Sequence, residues 1–295
     1  MTIKKWLFSV AAIFVAMLLF GCGGGSSGGT GSGSGVGNGS GNGSGSGSGS
    51  GADSPSPAAP PQTPAYRLSS GDLRAFSVGD SLSYATTVTG AFYDGSSRFE
   101  TTGQTTVTFA QSSFTIEGVP PLLARASRYS DENVTSVFTD WVHQDPNGTM
   151  SIHYDSDQFF YNYPRGSTEV RSPIGVGSSW ANAYLRQDVT QTDVFGNYLA
   201  LAVNESFTVI GTDTVTTSIG RFETFEVVYS RSIRNDSTSG TFLSLRPVDE
   251  SGTMWIHPAV GIVKWEATEI ENTFGGDFTT VGSFVLESTN IALSH

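Results

Sequence analysis

Apolar and polar residues alternate at period two along much of the chain after residue 65, a pattern typical of strands with one buried face. The segment "RFETFEVVYSRSI" sets apolar residues on one face and polar residues on the other: Phe225, Val227, Tyr229 and Ile233 against Glu226, Ser230 and Ser232. The stretch "TTVTF", from Thr105 to Phe109, shows the same alternation. No long apolar stripe at helical spacing follows residue 65. The pattern therefore predicts an all-β domain of antiparallel strands.

Pairs of turn-forming residues separate the predicted strands at short intervals. They include Asp94-Gly95, Asn147-Gly148, Gly196-Asn197, Asn235-Asp236, Ser251-Gly252 and Gly275-Gly276. Tight turns of this kind connect strands that follow one another in sequence. The turn signals favour antiparallel meanders.

Three pairs of segments match in the same order at nearly constant spacing, which suggests an internal duplication of about 100 residues. "FSVGDSLSY" (76–84) parallels "IGVGSSWAN" (174–182), "GVPPLLARASRY" (118–129) parallels "SIGRFETFEVVY" (218–229), and "DPNGTMSIHY" (145–154) parallels "DESGTMWIHP" (249–258). We expect one β repeat at 66–172 and a second at 173–295. Their sheets could stack as a sandwich or join edge to edge into one curved continuous sheet.

The first 21 residues have the layout of a bacterial signal peptide. Lys4 and Lys5 precede an apolar run of 15 residues from Trp6 to Phe20, which is too short to span a bilayer. The tetrapeptide "LFGC" that ends at Cys22 resembles the lipobox of bacterial lipoproteins. This resemblance implies cleavage between Gly21 and Cys22, transfer of a diacylglyceryl group to Cys22 and acylation of the new N-terminus. The alternative is an ordinary secretory signal with a chance cysteine.

A linker occupies residues 22–65, after the predicted lipid anchor. Of the 29 residues from Gly23 to Gly51, 25 are Gly or Ser, and the proline-rich "SPSPAAPPQTP" follows. Such a tract predicts a flexible, disordered coil that spans about 35 Å between Gly23 and Ala65. Two or three acyl chains hold a protein firmly in a bilayer, so we expect a domain tethered to a membrane. Because Gly23 is not aspartate, analogy with enterobacterial sorting favours the outer membrane, with the domain on its periplasmic or surface face.

Charge and cysteine content exclude several classes of partner and linkage. Without Lys4 and Lys5, 13 of the 15 basic residues remain against 27 acidic residues, a net charge of −14. This balance argues against a nucleic acid partner and against direct adhesion to anionic lipid headgroups. Cys22 is the only cysteine, so no disulfide can form within the chain.

Three segments of the second repeat carry a family resemblance: "VGSSW", "VIGTDTVTTSIGRFETFEVVYS" and "GTMWIHPAVGIVKWE". Over roughly residues 174–271 they are similar to a class of bacterial exported β-proteins and lipoproteins. Some members of that class carry a type IV pilus-assembly label of the TapB kind, and most have no assigned activity. The resemblance implies a strand-and-turn fold and supplies no catalytic residues.

Metal and catalytic motifs are weak in this sequence. His143, His153 and His257 could offer imidazoles to zinc, but no two of them lie at a close ligand spacing and HExxH is absent. Asp155-Ser156-Asp157 lacks the glycine and the glutamate that follow in a calcium loop. No serine-hydrolase elbow, phosphate loop or dinucleotide fingerprint occurs after residue 65. We therefore expect no metal, no cofactor and no enzymatic activity.

Aromatic residues are the best candidates for ligand contact. Phe159, Phe160, Tyr161 and Tyr163 crowd one short segment and would face both sides of a strand. That arrangement suits stacking on a sugar or a peptide, or burial on both sides. Trp255 is a further candidate.

Together these features predict a membrane-anchored lipoprotein of the cell envelope whose β domain binds or scaffolds an envelope protein, a lipid or a glycan. Three alternatives stay open. They are a lipid or lipoprotein carrier with an apolar cradle, a component of pilus or surface-filament assembly, and an envelope hydrolase.

Overall fold

The computed structural model shows one sheet of thirteen strands in the residues that it describes. These are residues 63–95, 98–113, 115, 118–156, 160–192, 198–235, 247–273 and 276–293; for 154–156, 160–166, 186–192, 198–200, 235 and 273 only the backbone is described. The all-β class predicted from the sequence is confirmed. Within these ranges no helix has the length and apolar character needed to cross a membrane.

The strands follow one another along the chain with short connections. They are β1 (Ala65–Tyr66), β2 (Ser81–Phe92), β3 (Arg98–Gln111), β4 (Leu123–Ser130), β5 (Thr135–Gln144), β6 (Met150–Ser156), β7 (Phe160–Val170), β8 (Ser179–Thr192), β9 (Tyr198–Thr217), β10 (Gly220–Asn235), β11 (Val248–His257), β12 (Gly261–Thr273) and β13 (Gly276–Thr289).

Strands β2 to β13 of the described chain form a closed ring. Each pairs antiparallel with the next strand in sequence, and β13 returns to pair with β2 along most of its length. The short β1 adds to β10 in parallel. Of the two arrangements that the sequence left open, the single curved sheet is the one adopted.

Each predicted repeat contributes half of the ring, β2–β7 from residues 66–172 and β8–β13 from residues 173–295. The turns that precede β2 and β8 are alike, since Gly79 and Gly177 have φ values of 94° and 85°. Their amides donate to the carbonyls of Phe109 at 2.8 Å and Val209 at 2.9 Å. The third matched pair, however, falls on the fifth strand of one half and the fourth strand of the other. The duplication itself stays a prediction.

The interior of the ring is a packed core. The apolar face predicted on β10 is buried, with Val227 fully enclosed, and β2 alternates buried and half-buried residues along its length. One apolar cluster receives side chains from every strand of the ring, among them Leu82, Val107, Val142, Phe222, Ile256 and Phe284. The alternation of apolar and polar residues at period two therefore predicts whether each side chain lies on the inner or the outer face of the sheet.

One turn expected from the sequence is wrong. Ser251-Gly252 lies within β11, where Gly252 opposes Tyr229 on β10. A Cβ atom on Gly252 would lie 2.6 Å from the Tyr229 ring. The glycine makes room for a neighbouring side chain, which no local turn rule describes.

The segment before β2 crosses one end of the ring. The Arg74 amide donates to the Pro258 carbonyl at 2.8 Å, and the Phe76 amide donates to Gln144 Oε1 at 2.7 Å. Phe76 also stacks on Phe109, with ring centroids 4.2 Å apart. This segment covers the core at that end.

The seam between β7 and β8 differs from the rest of the ring. In the described chain these strands pair in register at two positions, Tyr161↔Asp188 and Asn162↔Gln187. Further along, the Asn182 side chain takes the place of backbone hydrogen bonds between the two strands. Its Oδ1 accepts from the Thr168 amide at 3.2 Å, and its Nδ2 donates to the Thr168 carbonyl at 3.0 Å. The seam is held partly by one side-chain amide.

Candidate functional site

A row of polar side chains crosses the interior on six neighbouring strands, β8 to β13. In strand order it contains Asn182, Glu205, Arg231, Glu250, Glu269 and Thr280, each the register partner of the next. We name this set the polar row. Opposed residues on antiparallel strands have Cβ atoms about 4.5–5.5 Å apart, so the row is continuous across the sheet. Glu250 is fully buried, and the other charged members are more than nine-tenths buried.

Arg231 is the cation of the polar row and lies between two glutamates. Its Nε donates to Glu205 Oε1, whereas its Nη1 lies 4.0 Å from Glu250 Oε2. Glu205 also accepts from the Asn182 amide at 2.6 Å and from the Ser167 hydroxyl at 2.8 Å. Glu205 is therefore a buried carboxylate whose two oxygens both accept hydrogen bonds from protein groups, and Arg231 supplies the opposite charge.

Glu250 and Glu269 are less well paired. The Tyr229 hydroxyl donates to Glu250 Oε1 and accepts from Trp265 Nε1 at 2.8 Å. The Oε2 atoms of Glu250 and Glu269 are buried and accept no hydrogen bond in the described structure. A buried oxygen without a donor disfavours negative charge on its carboxyl group.

The electrostatics follow this geometry. Burial raises the pKa of Glu250 to about 8, although Arg231 and the Tyr229 hydrogen bond act to lower it. Burial, followed by the charges of Glu250 and Glu271, raises the pKa of Glu269 well above its ordinary value. Both shifts favour the protonated form of the carboxyl group over the ionised form.

A second buried ionic cluster lies in the other half of the ring and centres on Arg125. Its guanidinium donates to Asp140 at 2.8 and 2.9 Å and to Glu169 at 2.6 Å. Burial acts to lower the pKa of Arg125, but the charges of Asp140 and Glu169 outweigh burial and raise it. We name Arg125, Asp140 and Glu169 the Arg125 cluster.

A small cavity lies beside the Arg125 cluster, under the segment that crosses the end of the ring. Its volume is about 60 Å³ and its walls are mainly apolar, with Phe76, Tyr84, Phe109 and Trp265 among the lining residues. This volume holds about two water molecules. An acyl chain does not fit in it.

The outer face of β10–β13 carries an open depression of about 520 Å³. Its outward-facing lining is mostly hydroxyl-bearing: Ser251, Thr253, Thr268 and Ser283, with Val228, Val281 and Glu266. On the inner side of the same wall lie Gly252, Ala267 and Gly282. The depression is the larger of these two concave spaces and is open to solvent.

Most residues that the sequence singled out lie elsewhere. Gly21, Cys22 and Phe159 lie outside the described residues, and only the backbone of Phe160, Tyr161 and Tyr163 is described, on β7. The aromatic ligand contact therefore stays a prediction for these positions.

Trp255, the remaining aromatic candidate, is 8 % exposed on β11. Its Nε1 donates to Asp213 at 3.2 Å, and the Lys264 ammonium lies 4.3 Å from the ring centroid. Its ring thus already has partners on the protein itself.

The three histidines do not converge. His143 and His153 are neighbours on β5 and β6, with ring centroids 6.4 Å apart, while His257 packs on Phe222 at the other side of the ring. Burial, followed by His143, lowers the pKa of His153. Among the described residues, no group of three or more His, Cys, Asp or Glu is arranged to hold a metal ion.

Sequence reasoning missed the polar row, although a signal was present. Arg231 has the same parity as Tyr229 and Ile233 on the apolar face of β10, and Glu250 has the parity of the buried Met254. A charged residue on the buried face of an alternating strand marks an interior polar site.

Comparison with known proteins adds little to this picture. No family model matches the chain, and no curated protein matches it. A solved structure from Bacteroides fragilis, described as a candidate exported protein with a YmcC-like fold, aligns at TM-score 0.39 and 14% identity over 74% of this chain and 98% of its own. A candidate lipoprotein from Parabacteroides distasonis aligns at TM-score 0.37 and 13% identity over 76% of this chain and 99% of its own. At these scores neither carries an argument about fold or function.

Proposed function

We propose that this chain is a lipid-anchored protein of the bacterial cell envelope that binds an envelope partner through the outer surface of its closed sheet. The lipobox-like sequence at Cys22 and the Gly/Ser-rich linker support the anchor and the tether. The residue after Cys22 is Gly23 and not aspartate, which favours the outer membrane as the site of anchoring.

The observation that carries the binding role is the filled interior. Core side chains from every strand of the ring meet inside it, and the cavity beside the Arg125 cluster measures about 60 Å³. Among the described residues the interior therefore offers little space, which favours a partner that binds on the outer face of the sheet. The depression on β10–β13 is the concave outer surface that this proposal assigns to it.

The anchor is tested by membrane fractionation of cells that express the full-length chain. Cys22→Ser removes the thiol that receives the lipid, so the protein should move from the membrane to the soluble periplasmic fraction. Ser27→Ala, five residues downstream in the linker, is the matched control and should stay with the membrane. Unchanged membrane association of the Cys22→Ser protein contradicts the anchor.

Native mass spectrometry separates the binding role from the carrier alternative. The Cys22→Ser protein, purified from periplasm without detergent, should show the mass of the chain alone, with no bound molecule. A co-purifying lipid mass would favour the carrier, with an interior that opens to admit an acyl chain. The pilus-assembly alternative rests on the sequence resemblance, and the hydrolase alternative predicts turnover that a single substitution abolishes.

A further inference from the structure

The polar row has more acidic groups than its single cation can balance. If all four charged members were ionised, three carboxylates and one guanidinium would leave two uncompensated negative charges in the core. Isolated buried charges cost several kcal/mol each, and proteins avoid that cost by holding such groups in the neutral form. The folded protein therefore has to neutralise the two excess negative charges of the polar row.

The groups that face Glu250 and Glu269 supply no second positive charge in the described structure. These groups are Glu205 on β9, Tyr229 and Arg231 on β10, Trp265 and Glu271 on β12, and Tyr184 on β8 through its hydrogen bond to Glu205. Arg231 is committed to Glu205 through its Nε. Among the described residues, protonation of the two glutamates is the means of neutralisation that the geometry favours.

Protonation also accounts for the two oxygens that lack donors. Glu250 and Glu269 are directly opposed on β11 and β12, and the Oε2 atom of each is buried without a hydrogen bond. A proton turns each carboxylate into a neutral carboxylic acid. The new O–H group can donate a hydrogen bond to a nearby buried acceptor. Glu250 keeps the Tyr229 hydrogen bond at Oε1 in this state.

We propose that Glu250 and Glu269 bind protons inside the folded sheet at neutral pH and release them on unfolding, so that the closed sheet loses stability as its surroundings change from acidic to mildly alkaline. The polar row is then an internal proton-binding site. It acts independently of the lipid anchor and of any partner on the outer surface.

The direction of the pH effect follows from linkage. In the unfolded chain a glutamate titrates near its ordinary pKa of 4.5, whereas the folded protein holds the proton on Glu250 up to about pH 8. Between these values the folded state binds more protons than the unfolded state, so stability is full below pH 4.5 and falls until about pH 8. Glu269 shifts in the same direction and adds to the slope.

The test measures proton release when the full-length Cys22→Ser protein is unfolded by urea at pH 7 in weak buffer. We expect about two more protons released per chain than from the Glu250→Gln/Glu269→Gln double variant. Glu266→Gln, on the outer face of β12, is the matched control and should release as many protons as the parent. Equal release from the parent and the double variant overturns the proposal.

Infrared spectroscopy of the parent protein provides a second readout if the double variant does not fold. Protonated and ionised carboxyl groups absorb at separate frequencies, so the folded parent at pH 7 should show a protonated-acid band that disappears on unfolding. Glu269→Gln alone should reduce that band by about half, since one of two protonated groups is removed. A folded parent without the band also overturns the proposal.

Discussion

The Arg125 cluster and the polar row each place one arginine among buried or part-buried acids, but the two arginines donate to different numbers of those acids. In the Arg125 cluster the guanidinium donates hydrogen bonds to both carboxylates, Asp140 and Glu169. In the polar row Arg231 donates to Glu205 and stands 4.0 Å from Glu250, while Glu269 lies one strand further away. The geometry around the arginine decides whether a buried acid is ionised.

The two clusters differ in the hydrogen bonds that reach each carboxyl group, although both place an arginine close by. Asp140 is opposed to Arg125 across one strand pair and receives two charge-assisted hydrogen bonds. Glu250 is also opposed to Arg231, but its donor is the Tyr229 hydroxyl, which is neutral. Each acid thus lies directly opposite an arginine on the neighbouring strand, but Asp140 forms an ion pair with its arginine whereas Glu250 is a proposed proton-binding site.

The largest expected effect comes from removing each arginine in turn. Arg125→Met removes the guanidinium that donates to the buried Asp140 and the part-buried Glu169, and should cost about 3–5 kcal/mol of unfolding free energy at pH 7. Arg231→Met should cost less, because only Glu205 is then left as a charged group if the other two acids are protonated. Urea unfolding of the full-length variants at pH 7 measures both. An equal loss of unfolding free energy in the two variants, or a larger loss for Arg231→Met, would contradict the claim that the Arg125 cluster depends more on its arginine.

A smaller effect is expected where the sheet makes room for Tyr229. Gly252→Ala sets a methyl group 2.6 Å from the Tyr229 ring and also against the Glu266 backbone oxygen, so it should destabilise the protein by about 1–3 kcal/mol. The displaced ring would also weaken the hydrogen bond to Glu250. The control is Gly211→Ala, where a Cβ would meet nothing within 4 Å. Thermal unfolding compares the two, and a neutral Gly252→Ala would show that the ring has space to move.

The smallest expected effect lies at the end of the polar row, where it meets the β7–β8 seam. Asn182→Ala removes the side-chain amide that bonds the Thr168 backbone and Glu205, and should cost about 1 kcal/mol because water can replace part of these bonds. Hydrogen exchange should accelerate at Thr168. Asn272→Ala, which removes an exposed bond to Asp277, serves as the control. Unchanged exchange at Thr168 would mean that the seam is held by other contacts.

Much of the fold was predictable because strand alternation is a local signal. The face that the sequence assigned to Phe225, Val227 and Tyr229 is the buried face, and consecutive strands pair as antiparallel neighbours. The candidate site was less predictable. The parity of Arg231 pointed inward, but nothing local indicated that Glu205, 26 positions earlier, would receive its hydrogen bond.

The all-β class, the inward and outward faces of the strands and the motif that predicts a lipid anchor can be read from the sequence, since each depends on residues close together in the chain. The closure of β13 on β2 and the alignment of six polar residues from six strands across the interior are visible in the folded protein alone. Closure and register depend on pairing between residues far apart in sequence. For that reason the charge state of Glu250 and Glu269 belongs to the folded ring and to no single segment of the chain.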